Sequence, residues 1–163
     1  MPTQQELLEL EYDFNNLHDA QSHKHRLGSK VGRSSKHIFI AQYDFSVLGG
    51  AIGTINLLNP LTGLPAKLPK GAIITNALIH TLTNASTSGS PTIAVGTGAA
   101  TNDIKAATAS SSYSTSALLA GIPVGSAATA VVLDADQSPS ITIATAALTA
   151  GKFNVIFEYV LSI

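Results

Sequence analysis

From His37 to the last residue, short runs of β-branched and aromatic residues alternate with clusters of Gly, Pro, Asn, Asp and Ser. None of these runs carries the three-and-four spacing of an amphipathic helix, so the pattern restricts this part of the chain to strands. HIFIAQYDFSV, residues 37–47, alternates: Phe39, Ala41, Tyr43 and Phe45 fall on one side, Gln42, Asp44 and Ser46 on the other. GAIITNALIHTLTN (71–84) reads as a longer strand, apolar on both faces at first. SPTIAVGTG (90–98), TAVVLDAD (129–136), PSITIATAA (139–147) and GKFNVIFEYVLSI (151–163) supply the remaining runs.

Between the runs lie segments that forbid regular structure. NPLTGLPAKLPKG, residues 59–71, holds three prolines and two glycines and reads as a long, specific loop. ATASSSYSTSALLAGIPVGSA (107–127) is low in complexity and has room for one strand flanked by loops. Seven or eight short strands with turn signals predict an all-β body, an antiparallel β-sandwich or jelly roll, over residues 37–163. A parallel α/β sheet does not fit, because no crossover helices are available.

Residues 1–36 are of another kind. Thr3 and Glu6 have capping-box spacing, in which each side chain satisfies a free amide at a helix start. Leu7, Leu10, Phe14 and Leu17 follow at steps of three, four and three, predicting one amphipathic helix over about 4–18. Glu6, Glu9, Glu11 and Asp13 favour its N-terminal half, where the helix dipole attracts acids. A helix this short is marginal alone in water, so its apolar stripe needs a surface to lie on. From about residue 19 the helical pattern stops. HDAQSHKHRLGSKVGRSSKH, residues 18–37, has two glycines, hardly any apolar side chains and the bases Lys24, Arg26, Lys30, Arg33 and Lys36. It reads as an extended basic linker between the helix and the body.

Charge is scarce and unevenly placed. Only 12% of the 163 residues are Asp, Glu, Lys or Arg, about half the usual share. Ten of the nineteen formal charges lie in residues 1–36, leaving nine for the other 127 residues. A body so bare of charge is expected to be covered in part by copies of itself or by a partner. No cysteine is present, which excludes disulfides, thiolate chemistry and Cys-based zinc sites. MPTQQELLELEYDF lacks the basic start and apolar run of a signal peptide, and no segment has the 18 or so apolar residues of a membrane span. The expectation is a chain made and used without passage through a secretory pathway.

IAQYDFSVLGGAIGTINLL, LPKGAIITNALIHTLT, SPTIAVGTGAATNDIKAAT and ALTAGKFNVIFEYVLS together resemble a family of small tailed-bacteriophage head proteins. These are decoration, or cement, proteins that bind the outside of the capsid. The resemblance covers about residues 39–163 and rests on the order and style of these segments. It implies a jelly-roll sandwich assembled as a trimer on an icosahedral shell, and it carries over no catalytic residues. The N-terminal arm lies outside it.

Candidate chemistry is thin. Gly96-Thr97-Gly98 in VGTGAATND faintly resembles a phosphate-binding loop, but Thr101 stands where the third glycine belongs and no helix pattern follows. A strand-ending turn is the simpler reading. Asp134 and Asp136 fall short of the oxygen ligands calcium requires and read as a surface turn. His80 sits in an apolar strand, where a lone histidine is ordinarily a core or interface residue. His23 and His25, with His18 or His37 as a third ligand, form an H-x-H on an arm that does not preorganise them. Glu158, out of phase with Phe157 and Tyr159, reads as solvent-facing. No enzyme constellation and no cofactor is expected.

The arm has two readings. Phosphate neutralisation by its five bases makes it a nucleic-acid ligand. Without interleaved aromatics such binding is weak, and the five acids through Asp19 oppose it. Alternatively, the arm lies on an acidic protein surface while the helix stripe docks in an apolar groove, which suits both halves. The reading of the whole is a structural virion protein on the outer capsid surface, made in the host cytoplasm. Its expected partners are the major capsid protein of the same phage and itself, as a trimer. Leu7, Leu10, Phe14, Leu17, Lys24, Arg26, Lys30, Arg33 and Lys36 are the expected capsid contacts. The rival is a receptor- or carbohydrate-binding module of a phage fibre. It is poorly supplied, because the chain has no Trp and 6% aromatic residues.

Overall fold

The structure is a computed structural model and describes residues 36–121 and 130–161. These belong to one compact unit, Ser35–Ile163. Nine strands are present among them: β1 (His37–Asp44), β2 (Gly53–Asn56), β3 (Ala72–Ser86), β4 (Thr92–Gly96), β5 (Lys105–Ala109), β6 (Leu118–Ala120), β7 (Val131–Val132), β8 (Ser140–Ala144) and β9 (Ala150–Leu161).

All the pairings are antiparallel. One sheet has the order β1-β9-β3-β6, with the two-residue β7 also on β3; the other runs β2-β8-β4-β5. The first and last strands are thus neighbours in one sheet, and the second strand pairs with the last but one in the other. Setting β7 aside, these eight strands fold back on themselves as a jelly roll. The expected antiparallel sandwich is the observed fold. The predicted helix over 4–18 and the basic linker lie outside the described residues, except for Lys36.

The inner faces meet in a single core. β1 contributes Ala41 and Tyr43, β9 Phe153, Val155 and Phe157, and β3 Ala72, Ile74, Ala77 and Ile79; Ile93, Val95, Ile141 and Ile143 come from the opposing sheet. Phe153 lies between Tyr43 and Tyr113, with ring centroids 5.1 Å away on either side. Tilted aromatic pairs at this spacing gain about 1 kcal/mol beyond the area they bury.

Three details differ from the sequence pattern. The first run ends at Asp44 instead of continuing to Val47. The Asp44 carboxylate accepts from the Ser46 amide at 2.9 Å and the Ser46 hydroxyl at 2.6 Å, starting a helical turn α1 (Phe45–Leu48). Gly49, at φ +71°, closes that turn by donating to the Phe45 carbonyl. The second difference is in β3, whose register against β9 shifts between Ile74 and Asn76. The bulge resets the alternation, so Ile74 and Ala77 both point inward although three positions apart. This is why the segment looks apolar on both faces. Third, TAVVLDAD contributes only Val131–Val132 as strand. Beyond it the Leu133 amide still donates to the Ala72 carbonyl, and the chain then turns at Asp134.

Candidate docking surface

The two outer faces of the sandwich differ in chemistry. On the β2-β8-β4-β5 sheet, register places Thr54, Thr142 and Ala94 in one row and Ala144, Thr92 and Ala109 in another. The Thr54 and Thr142 hydroxyls meet at 3.1 Å. Apart from the buried Ala94, small and hydroxylated side chains of this kind make an ordinary solvated surface.

The outer face of the β1-β9-β3-β6 sheet has an apolar centre. Register aligns Ile40, Ile156, Leu78 and Ala120 across four strands. Val160 and Ile73 continue the apolar surface to Val132, and Ile38 and Leu118 stand at its margins, 69% and 61% exposed. A polar row crosses it, in which the Gln42 Nε2 donates to Asn154 Oδ1 at 2.7 Å beside His80. The described charges on this face are paired: Lys152 Nζ with Asp44 Oδ2, and Lys36 Nζ with Glu158 Oε2, each at 2.7 Å. Each lysine holds its carboxylate partner below the usual carboxylate range by hydrogen bonding to it.

A second apolar feature projects from the loop after β2. Leu58 and Gln42 exchange backbone hydrogen bonds of 3.0 and 2.7 Å, fixing the loop to the free edge of β1. Beyond Leu58 the chain turns tightly. Asn59 Oδ1 accepts from the Leu61 amide and Asn59 O from the Gly63 amide, both at 2.9 Å, while the Asn59 amide donates to Leu64 O at 2.8 Å. Pro60 and Pro65 fix backbone angles on either side of the tip. The result is an ordered turn that presents Leu61 to solvent at 93% exposure, with Leu64 also exposed.

The chain shares this fold with chains of known structure. It is similar to a chain of the cyanophage Pam1 capsid asymmetric unit, with TM-score 0.56 and 16% identity, covering 78% of this chain and 86% of that one. It is similar to a chain of the acid-stable capsid of Helicobacter pylori bacteriophage KHP30, with TM-score 0.52 and 15% identity over 78% and 89% of the two chains. A chain of the Ralstonia phage GP4 capsid gives TM-score 0.53 and 17% identity over 78% and 86%. The likeness is one of fold. No family model and no curated protein matches the chain.

The remaining candidate residues find structural places. The glycine loop after β4 is occupied by its own carboxylate: Asp103 accepts from the Thr97 amide at 2.7 Å and the Thr97 hydroxyl at 2.6 Å. An anion has no place where a carboxylate already takes the donors. Asp136 accepts from the Lys70 amide at 2.8 Å, and Asp134 is exposed in the same turn. His80 is half-buried on the outer face, and His37 stacks on Tyr159 with centroids 5.2 Å apart. Glu158 faces outward as expected but is partly covered by its pairing with Lys36. Among the described residues no three His, Cys, Asp or Glu side chains converge on a metal position, and no helix is long and apolar enough to cross a membrane.

Leu7, Leu10, Phe14, Leu17, Lys24, Arg26, Lys30 and Arg33, with His18, His23 and His25, lie outside the described residues. Lys36 is described, and its ammonium is engaged by Glu158. The sequence reading passed over Asp103 and the Leu61 turn. The signal for the first was an acid six residues beyond a threonine in a glycine-rich turn. For the second it was Asn-Pro before an apolar residue.

Proposed function

We propose that this chain is a non-enzymatic structural protein of a bacteriophage virion. In this reading it binds the outer surface of the capsid and stabilises the shell by bridging neighbouring capsid subunits. The observation that carries the reading is the jelly roll shared, over 78% of the chain, with chains of three phage capsids. The charge-poor body and the apolar outer face support it, because both are features of a surface that is covered in use.

The partners are the major capsid protein of the same phage and further copies of this chain, as a trimer. The arm, residues 1–36, is the anchor: its helix stripe docks in an apolar groove and its bases lie along an acidic surface. A single arm is a weak ligand, since ordering each residue costs about 1 kcal/mol. Three arms on one trimer bind at high effective concentration, which makes attachment firm. A protein that binds only the assembled shell raises the free energy needed to take it apart. No cofactor and no catalytic residue enters this mechanism.

The test is co-sedimentation of the full chain with shells that lack it. The expected result is saturable binding that raises the temperature at which the shells come apart. A full chain that leaves the shells unbound and unchanged overturns the reading. Deletion of residues 1–35, which keeps the Lys36–Glu158 pair, is expected to abolish binding; undiminished binding removes the arm from the mechanism.

A further inference from the structure

We propose that copies of this chain associate through two unlike patches: the Leu61–Leu64 turn of one copy packs on the outer face of the β1-β9-β3-β6 sheet of the next. This deepens the oligomeric part of the function proposed above and rests on that part alone.

The receiving face is built for an apolar, uncharged guest. Its centre is the Ile40–Ile156–Leu78 row, and Ile38 and Leu118 at its margins are more than half exposed. The three strands that span it, β1, β9 and β3, lie about 4.8 Å apart, and eight residues at about 3.4 Å each give the face a projected area of roughly 400 Å². That is about half the roughly 800 Å² that each partner contributes to a standard interface, so the contact is a small one. Its charges are already matched, Asp44 with Lys152 and Lys36 with Glu158. Beyond these pairs, the β6 edge of the face carries the Lys105 ammonium, which donates to the Ala120 carbonyl at 3.0 Å, so the centre of the face offers little to a polyanion or a strongly charged protein surface.

The turn has the matching character. Residues 58–66, LNPLTGLPA, contain no charged side chain. Their hydrogen bonds through Asn59 and the two prolines hold the tip in place before any partner arrives. A preordered leucine pair gives up little conformational entropy on docking, which is the condition for a small contact to be effective. Leu61 and Leu64 have no structural use in the described body, since both point to solvent.

That the patches are different decides the symmetry. A patch that meets its own copy joins two chains and stops, whereas a contact between unlike patches propagates from chain to chain, into a ring where the rotation closes and into a filament where it does not. One molecule carrying both a protruding apolar turn and an apolar sheet face has the parts for a cyclic assembly.

The experiment uses full-length chain, without capsids, and reads mass by light scattering after size exclusion at tens of micromolar. Wild type is expected to form a closed oligomer. One variant carries Leu61→Asp and Leu64→Asp; a second carries Ile38→Lys and Leu118→Lys. All four positions are exposed, so each variant should melt with the wild type, and each is expected to be monomeric. Mixed together, the two variants retain one intact turn and one intact face between them, and are expected to give a one-to-one dimer and nothing larger.

The inference is overturned if the turn variant keeps the wild-type mass, which would mean that faces meet faces. It is equally overturned if the wild type is monomeric. As a second readout, the chain has no cysteine of its own, so Leu61→Cys with Leu78→Cys is expected to yield disulfides between copies on oxidation. Their absence counts against the contact even if a charge variant folds poorly. Loss of shell binding with the wild-type mass intact leaves the shell role standing and removes this interface; an intact oligomer that ignores shells does the reverse.

Discussion

Asp103 fills from within the loop that Thr97 opens: one carboxylate oxygen takes the Thr97 amide at 2.7 Å, the other its hydroxyl at 2.6 Å. Thr97 is fully buried, so neither donor has water as an alternative. Asp103→Ala is therefore expected to cost about 1–3 kcal/mol, the penalty for orphaned buried polar groups. Asp103→Asn keeps one acceptor and should lose about half as much. Urea denaturation of the two variants measures both. Inorganic phosphate should leave the wild-type melting temperature unchanged, because the loop supplies its own anion.

Gly98, in the same loop, has φ +100°, and a Cβ there would collide with the Ser138 carbonyl oxygen. Gly63 has φ +69° with open space around its Cβ position. Gly63→Ala thus carries the conformational penalty alone, about 1 kcal/mol. Gly98→Ala carries that penalty together with displacement of the Ser138 backbone, and should lose at least twice as much. Equal losses in the two denaturation curves would show that Ser138 moves aside freely.

What the sequence disclosed follows from how each element is stabilised. β1, β4, β8 and β9 were legible because Ile, Val, Phe and Tyr alternate in them against a single core. β2 (GTIN) and β5 (KAATA) were not. Each is an edge strand that takes its conformation from one neighbour, β8 or β4, and Ala, Gly and Asn have little strand preference of their own. The end of β1 was misplaced because Phe45 continues the alternation while Asp44 caps a turn. The outer apolar face was hidden by the bulge at Ile74/Asn76, without which Leu78 and Ile73 cannot be assigned to one side. The sequence pointed to a sandwich or jelly roll but not to the strand order, since strands of equal character carry no local record of which neighbour they pair with. The arm residues remain a reading of sequence.

Tyr43 predicts an alkaline limit. Its side chain is buried and donates to the Gly49 carbonyl at 2.7 Å. Burial, with the Asp44 charge adding to it, pushes its pKa from 10.0 up to about 12. In the unfolded chain the phenol ionises first, so above pH 10 the unfolded state holds fewer protons and gains stability relative to the fold. The contribution of Tyr43 is expected to be nil below pH 10 and to cost up to about 1.4 kcal/mol per pH unit between 10 and 12. Tyr43→Phe should shallow that fall, leaving the share of Tyr113, whose burial raises its pKa in the same direction. A denaturation series from pH 9 to 11.5 in which both proteins lose stability equally would contradict it.

The Asp44–Lys152 pair predicts an acid limit of opposite sign. The Lys152 hydrogen bond is the largest cause of the lowered Asp44 pKa, with the Ser46 hydroxyl next. A carboxylate whose folded pKa lies below its unfolded value stabilises the fold above the unfolded value. That contribution disappears as pH falls through the folded one, from about pH 4 downward. Asp44 also caps α1, and two substitutions separate its roles. Asp44→Asn keeps an acceptor for Ser46 and removes the ion pair, which is half-exposed on the lysine side and should be worth no more than about 0.5 kcal/mol at pH 7. Asp44→Ala removes the cap as well and should cost about 1–2 kcal/mol. Both variants should flatten the loss of stability below pH 4, while only the alanine should lower the melting temperature appreciably at pH 7. If asparagine proves as damaging as alanine at neutral pH, the ion pair with Lys152 carries the fold at this corner and the cap does not.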